Sequence, residues 1–274
     1  MAIYVVTVDK LNRRSVIPSK MPDTNNIVGV VNKGYKFNGH EVDPDEIPNY
    51  TLGKWYRGTD GSFYWGGGVS LVQADVKKTL LDLNQIVIVT GATLAIAQLF
   101  LQYINHACAR YQINTPVRQL CFLIQLGHDS DGLFYTEEVA TGHGYEEDKH
   151  LGNTHKHDGV TYKGRGLLKI VGRRAYEELE NEFDKNFVLK PTILGGKNAT
   201  LCESEQLKYA ALSAGWLWDK KELNKLADKI DIKKPIDEET NLKHFEAITY
   251  KIAGSYQGLS DQIKKFNAGL QYFK

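Results

Sequence analysis

The segment LGHDSDGLFYTEE, residues 126–138, places His128, Asp129, Glu137 and Glu138 directly after a strongly apolar run. Two carboxyls a short loop apart can carry out hydrolysis. One protonates a leaving oxygen and the other takes a proton from water, provided a cleft holds them on either side of the bond. A solvated acidic turn has the same composition, so the chemistry depends on which elements position the cluster.

Other chemistries find less support. His143, His150, His155 and His157 share one segment, and HKHD has the composition of a metal ligand set, but a polar loop with several histidines is the commoner case and no metal is expected. Neither Ser130 nor Cys121 sits in a strand-to-helix elbow, so a nucleophile triad has no motif behind it. The Gly-Arg-Gly of YKGRGLLKIVGRRAYEEL is followed by no third glycine at dinucleotide spacing and no Gly-Lys-Ser/Thr, which argues against a nucleotide loop. No cofactor is implied.

The elements around the cluster read as helices. In TLAIAQLFLQYINHACARY, Leu94, Ala97, Phe100, Leu101, Ile104 and Cys108 recur at steps of three and four. Thr115 followed by Pro116 is an N-cap and first-turn proline, and the helix they open leads through Leu120, Cys121, Ile124 and Gln125 to His128 and Asp129 near its end. The carboxylates therefore sit where a buried helix emerges into a loop. YAALSAGWLWDKKELNKLAD and FEAITYKIAGSYQGLSDQIKKF predict further helices, the latter with a glycine-containing break.

The first seventy residues differ in texture. IYVVTV, NIVGVVNKGYKF and GKWYRGTDGSFYWGGGV are β-branched or aromatic runs parted by Gly, Asn, Asp and Pro, the pattern of short strands with tight turns. HEVDPDEIPNY, residues 40–50, reads as a long acidic loop between strands. Trp55, Tyr56, Tyr64 and Trp65 are candidates for a ligand shelf, or alternatively fill the interior of the β unit.

Bulk properties narrow the partners. The 274 residues, 42% hydrophobic and 24% charged, can bury a substantial core. Lys plus Arg at 34 against Asp plus Glu at 33 leaves a net charge of +1 and no basic stripe, so nucleic acid is not an expected partner. Cys108, Cys121 and Cys202 form no metal-type pair and read as core thiols. Apolar runs such as IVIVTGATLAIAQLFLQYI are broken by Thr, Gly, Gln and Asn, which suits buried helices better than a membrane span. MAIYVVTVDKLNRRSV has a strand pattern rather than that of a secretory signal.

LNRRS, IVGVVNKGYKF and KWYRGTDGSFYWGGGV, in that order, resemble a bacterial SH3-like (SH3b) module over residues 1–70. INTPVRQLCFLIQLGHDSDGLFYTEE, LGNTHKHDGVTYKGRGLLKIVGRRAY, AALSAGWLWDKKELNKLAD and ITYKIAGSYQGLSDQ resemble the glycoside hydrolase family 19 chitinases and their lysozyme-like phage and bacterial relatives. The two resemblances together imply a multidomain chain: a small all-β SH3-like barrel (1–70), a linker and first helix region (71–92), and a mainly α lysozyme-like domain (93–274).

The family 19 resemblance also implies a reaction: inverting cleavage of β-1,4-linked N-acetylglucosamine polymers. Its general acid, a Glu after His, falls on Asp129, one methylene shorter, and its base on Glu138, with Glu137 the neighbouring possibility. His128, Tyr162, Arg165, Lys169, Val171, Ala175 and Ala253 fall on the substrate cleft. Where the family has Gln, Ser or Thr, and Asn, this chain has Lys169, Val171 and Ala175. Ala253 replaces another sugar-binding Asn, and Gln262 stands where an Arg is usual.

These losses predict impaired or absent catalysis, although Asp129 and Glu138 survive. The alternative is a non-catalytic glycan-binding or structural component of a phage or injection particle. Expected partners are peptidoglycan or a chitin-like polysaccharide, together with particle proteins under the alternative. The expected route is synthesis in the cytoplasm without a signal peptide and action at the cell envelope, or outside the cell, after lysis or delivery.

Overall fold

The computed structural model describes residues 2–19, 23–48, 53–71 and 80–273. Residues 49–52, which include the end of the expected acidic loop, and 72–79 of the expected linker lie outside the described residues. The chain divides into two compact units, Met1–Lys77 and Lys78–Lys274.

The first unit is an antiparallel sheet of seven strands: β1 (Ala2–Val6), β2 (Lys10–Arg14), β3 (Ile27–Asn32), β4 (Lys36–Glu41), β5 (Trp55–Gly58), β6 (Phe63–Trp65) and β7 (Val69–Leu71). Their order is β3-β2-β6-β5-β4-β1-β7. The hairpin between β5 and β6 turns through Thr59-Asp60-Gly61-Ser62. Gly58 N–H donates to Ser62 O at 2.8 Å, and Gly61 takes φ +78°, a left-handed conformation that costs glycine nothing.

The closed SH3-like barrel expected from the sequence is not what forms. The sheet is open, with β3 and β7 as its edges. Strand patterning specifies which face of each strand is buried but says nothing of whether the last strand meets the first. One face packs Tyr4, Val6, Leu11, Val31, Phe37, Tyr64 and Val69 into a core. The proposed aromatic shelf divides accordingly. Trp55 (1% exposed) and Tyr64 (0%) are interior residues, Tyr64 stacking on Phe37 at 3.9 Å between centroids. Tyr56 is half-buried against Tyr4 at 4.4 Å, and Trp65 alone of the four is largely exposed, at 46%.

The second unit is mainly helical: α1 (Leu83–Thr90), α2 (Leu94–Arg110), α3 (Pro116–Asp129), α4 (Asp158–Thr161), α5 (Arg173–Phe183), α6 (Ser204–Lys220), α7 (Leu223–Ala227), α8 (Glu239–Ala253) and α9 (Leu259–Gly269). Helix α1, in the region expected to hold a linker and a first helix, contributes Ile86 and Val89 to the helical core. Its N-cap is a capping box in which Asp82 and Gln85 each accept the other's backbone N–H.

Helix α3 lies at the centre. Thr115 Oγ1 caps it, Pro116 opens it, and Leu120, Cys121, Phe122, Leu123, Ile124 and Leu126 are fully buried around its circumference. Gly127 lets it approach α1, since a Cβ there would stand 2.5 Å from Thr90 Cα. Such a helix is a rigid mount for Asp129, its last residue. Cys108 and Cys121 are core thiols, whereas Cys202 is half-buried and accepts from Gly196 N–H at 3.2 Å. Among the described residues no single helix is long and apolar enough to cross a membrane.

Candidate functional site

The loop after α3 folds back onto the Gly-Arg-Gly turn through backbone pairing. Glu138 N–H donates to Gly164 O at 2.8 Å, Gly166 N–H to Thr136 O at 2.9 Å, and Arg165 exchanges bonds with Ile170 at 3.1 and 2.7 Å. The two glycines of the turn have separate steric reasons. A Cβ on Gly164 would lie 3.1 Å from Glu138 Oε2, and Gly166, at φ +82°, leaves 2.5 Å between a Cβ and Ser213 Oγ.

This cradle gives the adjacent carboxylates different tasks. Glu138 Oε1 accepts from Gly164 N–H at 2.9 Å and Oε2 from the Tyr145 hydroxyl at 3.0 Å, at the end of the 3-10 turn His143–Tyr145. Glu137 is held between Lys163 Nζ at 2.8 Å and Arg165 Nε at 2.9 Å. Burial alone would raise its pKa, but these two cations outweigh that and hold it below the usual carboxylate range. Glu137 is thus an ion-pair anchor, which leaves Glu138 as the carboxylate available for chemistry.

Asp129 sits half-buried at the end of α3. Burial pushes its carboxyl up to about 6, against the opposing pull of Lys169. Lys169, named from the sequence as a lost glutamine, is a central part of the cluster. Burial brings its ammonium down to about 8, while Asp129, Glu138 and Glu137 all favour its charge. Its Nζ donates to Tyr135 O, and its backbone takes the left-handed φ of +46°. One half-buried cation thus lies within electrostatic reach of both candidate catalytic carboxylates, while its own hydrogen bonds go to backbone carbonyls.

The remaining predicted cleft residues separate. Tyr162 is 3% exposed, donates its hydroxyl to Val188 O at 3.2 Å and lies under the Arg173 guanidinium, so it is a packing residue rather than a cleft wall. Arg165 is also buried, binding Thr161 O at 2.7 Å and the Tyr176 hydroxyl at 3.2 Å. Ala175 packs on the core, Val171 is half-buried, and Ala253 is exposed at the end of α8. His128 turns toward the loop before α9, where a Cβ on Gly258 would meet its ring at 2.1 Å. Burial and Lys265 hold its imidazole below its ordinary pKa. Gln262 is buried, accepting from Gln125 Nε2 and Thr249 Oγ1, each at 2.9 Å.

Of the segment's four histidines, His155 stands 3.5 Å from Asp158, whose partner is Arg173. Among the described residues no three His, Cys, Asp or Glu side chains converge as a metal cage.

Beside Glu138 opens a pocket of about 370 Å³ whose walls include Phe134, Tyr135, Lys163, Lys197 and Asn198. Asp129 is not among its lining residues. Tyr145, Lys163, Lys197 and Asn198 escaped the sequence reading because each joins the site through tertiary contact and none belongs to a recognisable local motif.

A crystal structure of a chitinase C mutant matches with a TM-score of 0.50 at 17% identity, over 72% of this chain and 94% of that one. The chain has a chitinase-type fold. Chitinase C from Streptomyces griseus HUT6037 aligns over 73% of this chain and 95% of its own, at 16% identity and a TM-score of 0.49. No family model matches the sequence. The likeness to the chitinase C mutant is one of fold, the lysozyme-like architecture that the motif order implies.

Proposed function

We propose that the helical unit acts on a β-1,4-linked glycan containing N-acetylglucosamine, peptidoglycan or chitin, as a weakened inverting hydrolase. Asp129 is the acid and Glu138 the base. The observation that carries this reading is the pair itself: a half-buried acid at the end of α3 whose carboxyl burial pushes up to about 6, and a second carboxylate fixed by two donors, with Lys169 in electrostatic reach of both.

A carboxyl that keeps its proton near pH 6 can protonate the glycosidic oxygen as the bond to the anomeric carbon breaks. Glu138 then takes a proton from the water that attacks that carbon from the opposite face, which inverts the centre. The rate is low for two reasons. Asp129 is shorter than glutamate by one carbon-carbon bond, about 1.5 Å, and a misplacement of about 1 Å can cost on the order of 100-fold. Val171 and Ala175 bring no hydrogen-bonding side chain to a water or an acetamide.

The same substitutions favour a second reading, in which the unit binds glycan without cutting it, as a structural part of a phage or injection particle. Trp65, exposed in the β unit, is the surface aromatic there best placed to meet a cell-wall ligand. In either case the chain acts at the envelope after lysis or delivery.

Release of soluble fragments from purified peptidoglycan and from chitin oligomers, with Asp129→Ala as control and a parallel pull-down on the insoluble polymers, separates the readings. Hydrolysis lost in Asp129→Ala establishes the enzyme. Pull-down without hydrolysis establishes the binding protein, and failure of both removes the glycan assignment.

A further inference from the structure

The pocket beside Glu138 has a charge pattern that a neutral polysaccharide does not use. Of the residues that line it, Lys163 and Lys197 are cationic and Glu137 and Glu138 anionic, and the Glu137 charge is already met by Lys163 and Arg165. Lys197 is exposed at the pocket wall and forms no ion pair among the described residues. Next to it, Asn198 Oδ1 is taken by Thr200 N–H at 3.1 Å and Thr200 Oγ1 at 2.7 Å, which leaves its NH2 as the unused edge. Phe134 and Tyr135, also in the pocket lining, pack edge to face at 4.9 Å and supply apolar surface for a sugar ring.

We infer that this pocket is an anion-accepting subsite in which Lys197, with the Asn198 amide, selects a glycan carrying a carboxylate substituent over a neutral N-acetylglucosamine polymer. The inference rests on the glycan reading above and adds a substrate class to it: an acidic, peptidoglycan-type strand. A chitin chain presents hydroxyls and acetamides, which give an ammonium no countercharge. A muramic acid residue presents a carboxylate, either on its lactyl group or on the peptide attached there. Because Lys197 is exposed, its share of the selectivity is modest, on the order of fivefold, and is screened by salt.

The test measures equilibrium binding of the full-length chain to three soluble oligomers. These are an N-acetylglucosamine hexamer, an alternating N-acetylglucosamine/N-acetylmuramic acid strand stripped of its peptides, and the same strand with peptides in place. The expected result is severalfold tighter binding of an acidic strand than of the neutral hexamer at low salt. This preference should collapse at high salt, fall in Lys197→Met and reverse in Lys197→Glu. Preference for the stripped strand identifies the lactyl carboxylate as the ligand, and preference only for the peptide-bearing strand identifies the peptide carboxylates. Equal binding of neutral and acidic oligomers, or a preference that Lys197→Glu leaves in place, overturns the inference while the glycan reading stands. Binding of none of the three overturns both.

Discussion

The Tyr145 hydroxyl donates to Glu138 Oε2 at 3.0 Å, on the carboxylate whose other oxygen is held by Gly164 N–H at 2.9 Å. Both oxygens are thereby fixed in direction, as a base that must aim at one water requires. Tyr145→Phe removes one hydrogen bond to a charged group and keeps the ring, so kcat on a glycan oligomer should fall by about tenfold with little change in melting temperature. An unchanged kcat would show that the backbone alone orients Glu138.

Asp129 sets the alkaline limb of the pH profile, because the general acid must keep its proton. Its carboxyl is held at about 6 by burial, so hydrolysis should be greatest below that pH and fall roughly tenfold per unit above it. The same shift affects stability. A carboxyl pKa raised in the folded state means that ionisation costs folding free energy, a cost that grows as pH rises from about 4 to 6 and then levels off. Thermal melts of Asp129→Asn and the wild type should therefore diverge in favour of the variant across that window and remain apart at neutral pH. Parallel melting curves would show that the carboxyl titrates normally.

Asp129→Glu returns the methylene that separates this acid from the longer one in the family it resembles. If reach limits the reaction, fragment release should rise by tenfold or more, offset by about 1 kcal/mol or more of overpacking at a half-buried position. A flat response would place the loss at Val171, Ala175 and Ala253 instead.

Asp158 and Arg173 form a two-point ion pair, Oδ1 to Nη2 at 2.6 Å and Oδ2 to Nε at 3.0 Å, with Thr154 and His155 N–H also on Oδ2. The Arg173 hydrogen bonds hold the Asp158 carboxyl down at about 2. Because this pKa is depressed, the pair's contribution is complete above about pH 4 and is lost as pH falls toward 2. Asp158→Ala leaves Arg173 facing a buried gap and should cost about 3 kcal/mol in denaturant unfolding at neutral pH. A loss below 1 kcal/mol would mean that Arg173 finds water.

Gly127→Ala would press a methyl to within 2.5 Å of the Thr90 backbone and force α1 and α3 apart, at a cost of about 2 kcal/mol. Gly144→Ala, with nothing within 4 Å, is the matched control and should be nearly neutral. Urea midpoints for the two variants make the comparison.

The helical elements were legible because their signals are local. Thr115-Pro116 marks the start of α3, and the three-and-four spacing from Leu94 to Cys108 marks α2. The acidic segment stood out because it leaves a buried helix, and the family 19 resemblance singled out Asp129 and Glu138 within it. The strands of the β unit were equally legible, since their alternation and turn residues are local too.

Contacts distant in the chain decided the rest. The open ends of the sheet depend on whether β3 meets β7, which strand pattern does not encode. Glu137 and Glu138 are adjacent and of the same type, and they differ only because Lys163 and Arg165 meet one while Gly164 and Tyr145 meet the other. Lys169 reads in sequence as a lost amide, yet its desolvated ammonium lies in the field of three carboxylates and donates to the Tyr135 carbonyl. Residue type sets what a side chain can donate or accept. Burial and the neighbours brought in by folding set its charge and its direction, because desolvation and Coulomb energy depend on distance in space rather than along the chain.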